Sequence, residues 1–212
     1  GRSVRGRDGE LVVTRPMPTM PLYFWNDPDG TRLHDAYFST YEGVWRHGDW
    51  LEITDRGSAI VSGRSDSTLN RGGVRMGTAD VYAALATVPE VLDSMMLGVE
   101  QEDGTYWMPL FVQLRGGTDL DDHLRDRIRS AIVAHASRRH VPDDIIAAPG
   151  IPHTRTGKRL EVPIKRILQG RVPAQVLSSG SIDDPSLIEF YVAAARAHRE
   201  TSAWPTAQRE IT

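Results

Sequence analysis

The sequence predicts an α+β protein in three parts: a β-rich stretch over residues 1–65, a domain of a small mixed sheet with flanking helices over 66–172, and an extension with one amphipathic helix over 173–212. Three observations lead there. Large aromatics interleaved with Pro and Gly fill the first sixty residues, a spacing that discourages long helices. After Gly63 the texture changes to short β-rich runs alternating with helical patterns, the order an α+β domain needs. Leu120, Leu124, Ile128 and Ile132 step by four, which sets them on one helix face.

Taken in order, Glu10-Leu11-Val12-Val13 reads as a strand, and Leu51-Glu52-Ile53 with Ala59-Ile60-Val61 as a hairpin around Asp55-Arg56-Gly57. Thr78 is placed to cap a helix whose Val81, Leu85 and Val88 recur at helical spacing and which Pro89 ends. Val91 to Glu100 and Tyr106 to Leu114 read as β-rich runs joined by the turn Glu102-Asp103-Gly104. A second helix begins at Asp119 and stops before Pro142, with Arg125, Asp126, Arg127 and Arg129 covering its polar side. Ile145-Ile146-Ala147 is a short strand, Pro163 suits the first turn of a third helix running through Leu168, and Pro185 to about His198 is the amphipathic segment. Residues 66–170 are expected to close a core by themselves. Trp25, Tyr37, Phe38 and Trp45 have too little chain around them, so the first sixty residues are expected to need upstream sequence as a partner. The chain is therefore read as the C-terminal portion of something longer.

Composition narrows the function. Twenty-five Lys and Arg against 28 Asp and Glu leave a net charge of −3, no excess with which to hold a phosphate backbone or an anionic membrane surface, so neither nucleic acid nor membrane is an expected partner. The absence of cysteine rules out a disulfide framework, a thiolate metal site and a cysteine nucleophile, and fits a reducing compartment. No apolar run approaches the roughly 18 residues of a membrane span, and the Arg-rich start Gly1 to Arg7 has no apolar signal core after it. A cytoplasmic protein is expected. The seven histidines are scattered without metal-ligand pairing, so no metal site is assigned.

Four stretches could carry chemistry. Gly48-Asp49 puts a carboxylate beside glycine at a strand edge, where it can accept the two hydroxyls of a ribose diol, though alone it reads first as a turn or cap. Gly63 to Arg75 gathers Arg64, Asp66, Arg71, Gly72, Gly73 and Arg75. Arginine offers phosphate or ribose oxygens a permanently charged donor fork, but a surface loop with ordinary salt bridges explains the same residues. Thr154-Arg155-Thr156-Gly157-Lys158 resembles a phosphate-binding Walker loop only superficially, because Pro152 and Arg159 stand where glycine and a hydroxyl residue are required. What remains is a lysine on a glycine-bearing loop, able to put a point charge on carboxylate and phosphate oxygens. Arg138-Arg139-His140 closes the second helix, where cations complement the carbonyl end of the helix without any ligand.

Taken together, motifs in collinear order along the chain resemble the last third of the adenylate-forming acyl-CoA synthetases, and most closely the acetoacetyl-CoA synthetases. The matching residues are Met17 to Trp25, Gly43-Val44-Trp45-Arg46-His47-Gly48-Asp49, Gly63 to Asn70, Gly73 to Gly77, Arg139-His140-Val141-Pro142 and Thr156-Gly157-Lys158. The resemblance covers about residues 9 to 200. It implies that 1–65 is the end of a large adenylation domain and 66–172 the mobile C-terminal domain of such an enzyme. The implied reaction joins acetoacetate to CoA. The carboxylate attacks the α-phosphorus of ATP to give acyl-adenylate and pyrophosphate, and the CoA thiol then displaces AMP. Asp49 would bind the ribose hydroxyls, Arg64 the nucleotide and Arg75 the phosphate region. Lys158 would be the catalytic residue bridging carboxylate and nucleotide, Asp66 the hinge, and Gly72 and Gly73 the loop that CoA approaches. Magnesium is expected with the ATP. An arginine that acetyl-CoA synthetases use for CoA falls on Val133, so CoA phosphate contacts would come from Arg129, Arg138 or Arg139. The family's phosphate loop, adenine pocket and acyl pocket lie upstream of the matched part, so the chain is expected to be inactive alone. Two other readings stay open: a ligase for another short-chain acid such as acetate or propionate, and a stand-alone accessory module that binds a partner adenylation domain.

Overall fold

The computed structural model describes residues 2–101, 104–177 and 180–202. The chain divides into two compact units, Gly1–Asp66 and Ser67–Thr212. The first holds an antiparallel sheet in the order β1 (Asp8–Val13), β2 (Trp45–Ile53), β3 (Ala59–Arg64), with one short helix, α1 (Thr31–Tyr37). The β2–β3 hairpin turns where Asp55-Arg56-Gly57 predicts it: Gly57 has φ of 81° and its N–H donates to the Thr54 carbonyl at 2.9 Å. Helix α1 went unread. Both carboxylate oxygens of Asp27 accept the N–H groups of its first turn, from Arg32 and Leu33 at 2.9 Å each, so a buried side chain several residues upstream does the capping.

The aromatics of this unit do not all lack cover. Trp45 is buried and meets Tyr37 edge-on at 5.3 Å, and Tyr37 meets Phe24 at 5.7 Å, a chain of T-shaped contacts that closes a small core. Tyr37 and Phe38 are half-buried. The expectation of exposure holds for Trp25, 84% exposed; its neighbours Leu22 and Tyr23 are exposed as well.

The second unit is built on a mixed sheet in the order β10-β9-β6. Strand β6 (Val91–Met96) runs antiparallel to β9 (Pro109–Leu114), and β10 (Asp144–Ala147) runs parallel to it. Two hairpins lie beside it, β4–β5 (Leu69–Arg71 and Val74–Met76) and β7–β8 (Val99–Glu100 and Tyr106–Trp107). Central β9 is buried on both faces, and its side chains alternate between two cores. Leu110 and Val112 join α2 (Ala79–Leu85) and α3 (Asp122–His135) through Leu85, Leu124, Ile128 and Ile132. Phe111 joins α4 (Glu161–Leu168) and α6 (Ile188–Ser202) through Ile164, Leu168 and Tyr191. A four-residue helix, α5 (Pro173–Val176), links the last two.

Several boundaries differ from expectation. Helix α3 starts at Asp122 rather than Asp119, because Asp121 is the residue whose carboxylate accepts the Leu124 N–H, at 2.8 Å; Leu120 packs on the core from outside the helix. Thr78 stands at the N-cap of α2 without a capping bond, and its hydroxyl points to Glu161 at 3.5 Å. Glu102 and Asp103 of the expected turn lie outside the described residues. The segment 173–212 contributes α6 to the core: Tyr191 is fully buried, and its hydroxyl donates to the Gly150 carbonyl at 2.8 Å. On that face of β9 α6 packs beside α4, so the core there draws on residues beyond 170 as well as on those before it. No helix among the described residues is long and apolar enough to cross a membrane.

Asp121→Ala is expected to cost about 1 kcal/mol, the usual value of an N-cap carboxylate. Urea unfolding would read it as a lower midpoint at unchanged slope.

Candidate functional site

In the first unit the antiparallel register sets Asp49 opposite Arg64. Arg64 donates to both oxygens of Asp66, from Nε at 3.0 Å and from Nη2 at 2.7 Å, and its Nη1 lies 3.7 Å from Asp49 Oδ1. The hydrogen bond to Asp66 is the main reason the guanidinium holds its proton more tightly than usual. Gly48 explains how the fork gets there. Its φ of 88° favours glycine, and a Cβ at this position would stand 2.7 Å from Arg64 Nη2 and push the guanidinium aside. On the other side, His47 Nδ1 pairs with Asp49 Oδ2. Three predicted residues, Asp49, Arg64 and Asp66, thus form one polar cluster, with the boundary between the units directly after Asp66.

Gly72, Gly73, Arg75 and Lys158 belong to the second unit. Gly72 and Gly73 are the two loop residues of the β4–β5 hairpin, in which Arg71 pairs with Val74. Their φ values of 59° and 80° are both left-handed, as a type I′ turn demands, and a Cβ on either would meet nothing within 4 Å. The pair therefore has a purely local reason to be glycine, and the space over it is open. Arg75 sits opposite Asn70 in β5; its side chain lies outside the described residues. Arg71, which the sequence placed in the same cluster, turns away to Asp143 and the Val141 carbonyl.

Lys158 occupies a tight hairpin. His153 and Arg159 are bridged as antiparallel partners, the Thr154 N–H donates to the Lys158 carbonyl at 2.7 Å, and the Lys158 N–H donates to Thr154 Oγ1 at 3.1 Å. Gly157 supplies the left-handed residue, φ 81°, that the turn requires. The lysine side chain is exposed, and among the described residues no carboxylate pairs with its ammonium group. A backbone held by hydrogen bonds presenting an uncompensated cation is what binding an anionic substrate needs.

The base of this hairpin holds residues that sequence reasoning missed. Asp93 of β6 receives Arg159 at 2.6 Å and His153 at 3.2 Å, and Tyr82 of α2 donates to Glu161 of α4 at 2.5 Å. Burial, with the Glu161 carboxylate beside it, holds the Tyr82 phenol protonated well above its ordinary range. These partners are 66 and 79 residues apart in the chain, and no local pattern announces them. Of the arginines weighed for CoA phosphates, Arg129 is paired with Asp126 at 3.1 Å, while Arg138 and Arg139 are exposed on a 3-10 turn that Ser137 caps. Among the described residues no group of three or more His, Asp and Glu side chains converges as metal ligands would.

Residues 80–158 match the AMP-binding enzyme C-terminal domain. The acetoacetyl-coenzyme A synthetase of Rhizobium meliloti (strain 1021) is 41% identical over 191 residues, 90% of this chain and 29% of that protein. The acetoacetyl-CoA synthetase of Mus musculus is 40% identical over 192 residues, 90% of this chain and 28% of that protein. In structure, the acetoacetyl-CoA synthetase from Streptomyces lividans superposes with a TM-score of 0.80 at 56% identity, over 93% of this chain and 30% of that one. The chain spans less than a third of the length of the proteins it resembles.

Proposed function

We propose that this chain, which carries the C-terminal domain of the AMP-binding enzymes, supplies the C-terminal part of an ATP-dependent acid–CoA ligase acting on acetoacetate. The observation that carries the reading is the 56% identity to an acetoacetyl-CoA synthetase over 93% of this chain. In the proposed reaction, acetoacetate attacks the α-phosphorus of ATP and expels pyrophosphate, and the CoA thiol then expels AMP. Lys158 sets its ammonium charge against the carboxylate and the α-phosphoryl oxygens, where negative charge gathers as adenylation proceeds. Asp49 accepts the ribose hydroxyls, Arg64 steadies the nucleotide from the opposite strand, and Arg75 is assigned to the phosphate region. Magnesium enters as the counter-ion of ATP. Asp66, at the boundary of the two units, is the hinge about which the second unit turns between the half-reactions. The partner of the first unit is an upstream adenylation domain, which would cover Leu22, Tyr23 and Trp25. The setting proposed is the cytoplasm.

CoA is proposed to approach over Gly72 and Gly73, and the open space above the turn supports that. Gly73→Leu is expected to leave adenylation within a few-fold and to block thioester formation. Leucine also strains the left-handed turn, by about 1–2 kcal/mol. Gly73→Asn, which tolerates that conformation with a shorter side chain, separates obstruction from strain and is expected to keep part of the transfer rate. Rapid-quench assays of the two half-reactions read both variants; equal loss in both steps would remove Gly73 from the CoA path.

A further inference from the structure

We infer that Asp93 is a positioning residue that clamps the hairpin bearing Lys158 and so fixes where its ammonium group is presented; the inference rests on the adenylation role proposed for Lys158. Asp93 lies on β6, while both of its partners, His153 and Arg159, flank the Lys158 turn. Its Oδ1 accepts Arg159 Nε at 3.2 Å and Nη2 at 2.6 Å, together with the Ser94 N–H at 2.7 Å. Its Oδ2 lies 3.2 Å from His153 Nε2. The second ring nitrogen of His153, Nδ1, is 2.8 Å from the Ile151 carbonyl oxygen and is the donor there.

The Arg159 guanidinium also lies over the Tyr82 ring, 4.2 Å from its centre, and the Tyr82 hydroxyl is anchored on Glu161. One carboxylate on the sheet thus grips both arms of the hairpin, and one of those arms is braced against α2. Asp93, His153 and Arg159 are each at least two-thirds shielded from water, so the clamp is screened less than a surface pair. The hairpin's own hydrogen bonds fix its shape. They do not fix its position on the sheet; Asp93 supplies the anchor from β6, while Asp183 exchanges hydrogen bonds with His153 from the other side of the hairpin's base. Position matters because a displacement of about 1 Å in a group acting on the reacting atoms can cost on the order of 10²-fold in rate.

Amide hydrogen exchange on this chain and half-reaction rates in the complete ligase test the clamp separately. Asp93→Asn keeps the shape and removes the charge. It is expected to speed exchange at Gly157 and Lys158 about tenfold while leaving β9 unchanged, and to lower kcat for adenylation about tenfold or more with KM for ATP nearly constant. Thioester formation from supplied adenylate should not change. Arg159→Lys retains the charge but loses the fork, and carries the test in the same direction if Asp93→Asn does not fold. Unchanged exchange at the hairpin overturns the clamp. Faster exchange with both half-reactions slowed equally overturns the positioning role. Intact adenylation in Lys158→Ala overturns the role of Lys158 and this inference with it, whereas intact adenylation in Asp93→Asn beside a crippled Lys158→Ala overturns the inference alone.

Discussion

Replacing Lys158 with Ala in the complete ligase is expected to slow acyl-adenylate formation on the order of 10²–10³-fold, the usual loss when one preorganised donor is removed from a developing anion. Thioester formation from supplied adenylate should stay within a few-fold of the parent, because the role proposed for the hairpin's charge belongs to the first step alone. The fold should be untouched: the Lys158 side chain is exposed, and the turn is held by the Thr154 and Gly157 backbone and the Thr154 hydroxyl, none of which the substitution alters. Rapid quench with labelled ATP measures the first step, and thioester yield from synthetic adenylate the second. Equal losses in both would assign Lys158 to general binding or to folding.

The second large effect concerns α6. Cutting the chain after Gly170 is expected to abolish cooperative unfolding of the second unit, since Ile188, Tyr191 and Ala195 would no longer cover Phe111, Ile164 and Leu168. A point substitution grades the effect. Tyr191→Ala should cost about 3–5 kcal/mol, as deletion of a buried aromatic does. Tyr191→Phe keeps the ring and leaves the Gly150 carbonyl without its donor, at a cost of about 1–3 kcal/mol. Thermal unfolding followed by near-ultraviolet dichroism ranks the three. A truncated chain that melts like the parent would show that α6 is an appendage.

What the sequence made legible follows from how local each signal is. The stepped Leu124, Ile128 and Ile132 announce α3 because a helix repeats within itself, and Gly57 announces the β2–β3 turn because the left-handed conformation belongs to one residue. The same amphipathic pattern in 185–198 could not tell a core helix from an extension, because periodicity reports that a face is apolar and not what it packs against. Helix α1 was invisible because its cap, Asp27, sits outside the usual N-cap position. At the candidate site, the cluster of Arg64 with Asp49 and Asp66 lies within one hairpin and its margin, so the chain itself brought those residues to notice. The grip of Asp93 on His153 and Arg159 depends on tertiary contact across some sixty residues, and Gly72-Gly73 owes its composition to a turn whatever else passes over it.

The measurement that tests the account most directly is acid-dependent exchange of labelled pyrophosphate into ATP, catalysed without CoA by the complete polypeptide containing this chain. Acetoacetate is expected to drive the exchange well above acetate and propionate, and Lys158→Ala to abolish it. Exchange driven equally by all three acids would contradict the assignment to acetoacetate, and no exchange with any acid would contradict adenylation itself.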